Sequence, residues 1–148
     1  MTQRLTSTNL AAAHSVGPPS ADALSLELLA AFALCVTAGV HIADVSGKLE
    51  ESTYIGLGFI LGPIAAALLA AVLLIAGNRM VGWLIGAGVS GGTAVGYILS
   101  RTTGLPNARD DIGNWSEPIG VVSLIAEGAV ILCLALAAMS GGPERSQG

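Results

Sequence analysis

His41, Asp44 and Glu127 are the residues of this 148-residue chain that combine proton- or metal-binding chemistry with an apolar setting. Thr37, His41 and Asp44 are spaced by four and three, so on a helix all three project from one face. A histidine beside carboxylates suits a first-row divalent metal, or a proton relay, because imidazole titrates near neutral pH. His41 and Asp44 are therefore the candidate metal ligands, completed by a carboxylate from another helix. No HxxxH or ExxH pair accompanies them. Glu127 lies about ten residues into an apolar run, and at ~1.5 Å per residue that is roughly 14 Å below the helix start, near a bilayer midplane. Acidic groups at such depth usually face a bundle interior and carry function. Ser123, one turn earlier, can donate a hydrogen bond to Glu127, and Ser90 on another helix is an alternative partner.

Arg101 is the second centre of interest. It ends an apolar run and is followed by a connector carrying Arg109, Asp110, Asp111, Trp115 and Glu117. An ion pair between Arg101 and Asp110, Asp111 or Glu117 would pin this loop over the helices. Ser116-Glu117-Pro118 reads as a helix start, with Ser116 as cap and proline in the first turn.

The elements that must hold these groups are four long apolar blocks, at about 24–45, 55–76, 80–100 and 117–138. Each approaches the roughly 20 residues that a helix needs to cross a bilayer core. Unbroken apolar runs of that length read as membrane helices, because lipid offers backbone amides no other partner. The chain is 53% hydrophobic and 11% charged, with a net charge of −4. Six scattered basic residues make no patch, which excludes a nucleic-acid partner. No HExxH, GxSxG or Gly-rich phosphate loop is present, so a membrane enzyme ranks behind the other readings. Residues 1–22 read as a disordered polar tail, and 141–148 as a second tail after the Gly141-Gly142-Pro143 stop.

Within the blocks, Glu27 lies one turn inside the first helix, where it complements the N-terminus or reaches the headgroups. Residues 46–54 read as a short acidic connector. Pro63 predicts a kink near Gly62. Gly77-Asn78-Arg79 is a tight turn that makes the second and third spans antiparallel neighbours. The third span carries Gly82-xxx-Gly86, Gly88-xxx-Gly92 and Gly92-xxx-Gly96, a spacing that lets helices approach closely in lipid. Cys35 and Cys133 read as small apolar packing residues. Tyr54, Tyr97 and Trp115 fall at one membrane face and Trp83 at the other, where aromatic rings anchor to the interface. Basic residues tie at three on each side, so orientation rests on the tight Arg79 turn and the elaborated 101–117 loop. Both favour cytoplasmic termini.

The stretch Tyr97-Ile-Leu-Ser-Arg101-Thr-Thr-Gly104-Leu105-Pro106, then Glu117-Pro118-Ile-Gly120 and Glu127, with His41 upstream, resembles a group of small bacterial four-span membrane proteins. The resemblance implies the four-span fold and no activity, because the group has none assigned.

These observations predict an all-α, integral membrane four-helix bundle with short connectors and one longer ordered loop, resident in the cell membrane. Two functions compete. In one, the bundle binds or conducts a proton, metal ion or small ligand between the first and fourth spans, through His41, Asp44 and Glu127. In the other, it is an accessory subunit whose Gly-rich faces pack against a second copy or a larger membrane complex. A cavity joining His41 to Glu127 would favour the first; exposed Gly-xxx-Gly faces would favour the second.

Overall fold

The computed structural model describes residues 20–51, 53, 57–58, 60–106 and 109–140. The expectations for both tails beyond these limits, and for Tyr54, lie outside the described residues. Among these residues run four α-helices: α1 (Ala21–Glu51), α2 (Ala65–Ile75), α3 (Arg79–Thr102) and α4 (Pro118–Ser140). A π-helical turn, Ile60–Ile64, leads into α2. The described residues contain no strand.

α1, α3 and α4 each hold a stretch long and apolar enough to cross a membrane, whereas the apolar helix Gly62–Ile75 is shorter. The acidic connector expected at 46–54 is instead helical as far as Glu51. Apolarity ends near Val45, but helical hydrogen bonding does not require apolar side chains, so α1 continues past the oily block. Pro63 sits inside the π turn. The expected irregularity therefore takes the form of a widened turn, one of the recognised ways a helix accommodates a missing amide.

The α2–α3 turn is built by glycine. Gly77 has φ +81°, Asn78 N–H donates to the Leu73 carbonyl at 2.9 Å, and Gly77 N–H donates to that of Leu74 at 3.1 Å. That pair of bonds is the Schellman closure, which needs a left-handed residue at the position Gly77 occupies. α1 packs on α2 and α4, and α3 packs on the same two helices, so the four form a closed ring.

The interior is made of small side chains. Ala30, Ala67, Ala70 and Ala71 are buried with Leu34, Leu74 and Val130, while Phe32, Leu69, Ile125 and Leu132 are exposed on the outside. Trp83, expected as an interface anchor, belongs to this buried core. Cys133 is buried but Cys35 is exposed, so only Cys133 packs as expected.

The glycines of α3 fall into two sets. A Cβ on Gly82 would lie 2.9 Å from Leu74 Cγ and 3.0 Å from the Leu74 backbone nitrogen. This glycine lets α3 touch α2. At Gly88, Gly92 and Gly96 a Cβ would meet nothing within 4 Å. Close packing, the expected meaning of all three Gly-xxx-Gly pairs, therefore applies only near Gly82 and Gly86. Gly82→Ala should lower the thermal unfolding midpoint in detergent, by overpacking worth about 1–3 kcal/mol. Gly92→Ala should leave the midpoint unchanged or raise it, because alanine is the better helix former by about 1 kcal/mol. Equal losses in both variants would refute the division.

Candidate functional site

The last turn of α3 and the loop after it are assembled around one cation. Arg101 is 5% exposed, and a buried guanidinium is tolerated only when it is paired. Its Nη1 lies 2.7 Å from Asp111 Oδ1, and Nη2 donates to Glu117 Oε2 at 3.0 Å. Its carbonyl accepts from Gly113 N–H at 2.9 Å. One turn earlier, the Tyr97 ring lies under the guanidinium, 4.7 Å from centroid to Cζ, a favourable cation–π distance. Asp110 is exposed and makes no ion pair with Arg101.

Tyr97 also ties the loop from the other side. Its hydroxyl donates to the Trp115 carbonyl at 3.1 Å, and the two rings meet edge to face at 6.2 Å. Tyr97 is thus more than the interface anchor that its position suggested. Glu117, rather than Ser116, caps α4: its Oε2 accepts from Gly120 N–H at 3.1 Å, while Pro118 begins the helix. One carboxylate therefore serves both a helix N-terminus and Arg101. Gly120 is required here, because a Cβ would overlap the Tyr97 ring and lie 2.9 Å from Glu117 Oε2.

Beneath this clamp is a cavity of about 630 Å³. His41 and Asp44 of α1, Arg101 of α3 and Glu127 of α4 all line it. Gly88, Gly92 and Gly96 form much of the α3 wall, and Gly62 and Pro63 of the π turn line it too. The open glycine set thus borders empty space. The cavity reaches from Asp111 and Glu117 in the clamp down to Glu127, so the clamp forms one end and Glu127 the depth.

Glu127 is 2% exposed. Its Oε1 accepts from Ser123 Oγ at 2.7 Å, while Oε2 has no hydrogen-bond partner among the described residues. Ser90 Oγ, the alternative partner, is also buried without one. The His41 ring is buried, and its Nδ1 lies 2.9 Å from the Thr37 carbonyl. A carbonyl can only accept, so Nδ1 is the nitrogen that carries a proton in this contact. Among the described residues, no three His, Cys, Asp or Glu side chains gather closely enough to hold a metal ion. His41, Asp44 and Glu127 share a wall without converging on a point.

A second polar contact lies at the opposite end and was not foreseen. Glu27 is 6% exposed and forms an ion pair with Arg79, the first residue of α3. Its burial against α3 replaces the expected role at the helix N-terminus or headgroups. The two residues are 52 positions apart, and no local spacing signals such a pair. Comparison with protein-family models, curated proteins and solved structures gives no match.

Proposed function

We propose that this chain is a multi-pass protein of the cell membrane, a four-helix bundle that binds a small molecule in the cavity between its helices. The membrane assignment rests on the inverted size pattern: alanine, serine and glycine inside, phenylalanine, leucine and isoleucine outside. Lipid is as apolar as leucine, so helices there associate by close packing of small residues, and large aliphatic ones face the chains. The α2 segment completes a fourth span, with the π turn extending its shorter helix. Termini in the cytoplasm, which the tight Arg79 turn and the elaborated 101–117 loop support, and kinship with the four-span group belong to the same reading.

The observation that carries ligand binding is the cavity of about 630 Å³ with His41, Asp44 and Glu127 on one wall system. Small-molecule sites run from about 300 to 1,000 Å³ and are mostly apolar with a few placed polar groups. A proton relay needs hydrogen-bonding groups in series, not so large an apolar-walled space. A metal site needs at least three converging ligands, and no such group is found among the described residues.

A second reading, an accessory subunit, draws on an apolar groove where Val36, Gly39 and Ala43 of α1 meet Pro118 and Val122 of α4. Native mass spectrometry of the protein, extracted from its own membrane in mild detergent, separates the two. A bound small molecule, lost in His41→Ala, is the expected result. A reproducible second polypeptide would replace it with the subunit reading, and a bare chain in every preparation would sink the ligand reading.

A further inference from the structure

We propose that the guest of this cavity is a small organic cation, an apolar amine whose ammonium group donates to the unpartnered oxygen of Glu127. The inference rests on the ligand reading above and specifies its chemistry.

Three independent features point the same way. The first is Glu127 itself, almost wholly buried, with Oε1 held by Ser123 and Oε2 without a partner among the described residues. Buried carboxyl oxygens are normally satisfied, and one that lines a cavity is set to accept from whatever fills it. The second is the placement of the cation on the wall. Arg101 is already engaged by Asp111 and Glu117, and Glu127 makes no ion pair among the described residues, so the site around Glu127 favours a positive guest over a negative one.

The third is the shape and chemistry of the remaining wall. Gly88, Gly92 and Gly96 present bare backbone with open space where their side chains would be. Ile85, Val89 and Pro63 complete a smooth apolar lining. Such a wall has little to offer a strongly hydrated inorganic ion, whereas it fits the hydrocarbon body of an amine. The distance from Glu127 to the start of its helix, roughly 14 Å at ~1.5 Å per residue, leaves room for an elongated guest. Its head would lie at Glu127 and its tail toward Tyr97.

The test uses three compounds of similar size and different charge on the purified protein in mild detergent: 4-phenylbutylamine, 4-phenylbutanol and 4-phenylbutyrate. Isothermal titration should find the amine bound about tenfold more tightly than the alcohol, as one charge-assisted hydrogen bond provides. The carboxylate should bind most weakly. Glu127→Gln, which keeps shape, should abolish the preference for the amine and retain the alcohol. Gly92→Leu, which fills the cavity from a position with free space, should abolish binding of both.

Alcohol or carboxylate bound as tightly as the amine would overturn the cation inference while leaving the ligand reading intact. So would an amine preference that survives Glu127→Gln. Binding that persists in Gly92→Leu would place the compounds outside the cavity and overturn the inference as well. Failure of all three compounds to bind wild-type protein overturns it without any variant. Failure of the broader ligand reading shows separately, as protein that never carries a small molecule out of its membrane.

Discussion

Arg101→Met should unfasten the loop between α3 and α4 and lower stability by about 3 kcal/mol. The variant keeps the length and apolar stem of the side chain but leaves the Asp111 and Glu117 carboxylates facing each other without a cation. Breaking a buried pair from one side typically costs about 3–5 kcal/mol, because the charge left behind is uncompensated. The lower end applies, since the side chains of Asp111 and Glu117 are 24% and 29% exposed and retain some solvent screening. Arg101→Lys should recover only part of the loss. An ammonium is a point charge; it cannot bond two separate carboxylates in a planar fork and also lie flat on Tyr97. Thermal unfolding in detergent, with limited proteolysis within residues 103–117, reads both effects. A wild-type midpoint and an uncut loop in Arg101→Met would show that the clamp holds nothing.

The second large effect is expected at the opposite end of the helices. Arg79→Met should cost about 2 kcal/mol by stranding Glu27, which is nearly buried, and Glu27→Met should cost less. The reason for the asymmetry is exposure: the Arg79 side chain is 40% exposed and can turn to water, whereas Glu27 at 7% cannot. The double variant should regain most of the loss, since two apolar side chains in place of a partly buried pair are often close to neutral. A double-mutant cycle on unfolding midpoints gives the coupling directly. Strict additivity of the two single losses would mean that the pair contributes no interaction.

Much of this architecture was legible in the sequence, because long apolar helices announce themselves by composition. α3 was expected at about 80–100 and runs Arg79–Thr102; α4 was expected at about 117–138 and runs Pro118–Ser140. Arg101 stood out because a charge ending an oily helix needs a partner, and acidic residues lay within one loop's reach. Asp111 and Glu117 fill that role; choosing them over Asp110 depends on which way each carboxylate points, a property of the folded loop. The cap on α4 moved from Ser116 to Glu117 for the same reason.

The features that escaped are those made by juxtaposition. Glu27 and Arg79 meet only because α1 and α3 are brought to one end of the ring, and nothing in either neighbourhood encodes it. The glycines of α3 share one spacing but have two meanings, decided by whether a neighbour's atoms occupy the space beside them. A cavity consists of missing atoms, so residues flanking it carry no local mark. His41, Asp44 and Glu127 were found by their chemistry, but their common wall required the fold.

A helix is a screw, and the π turn at Ile60–Ile64 acts in it as a dislocation. Over the four residues from Gly62 to Ala66, an unbroken α-helix at 3.6 residues per turn would drift about 40° in azimuth. The wider π turn, with more residues to each turn, takes up that drift. Gly62 and Ala66 are thereby brought into phase, and both border the same cavity. The wall on this side depends on residue count as much as on residue type.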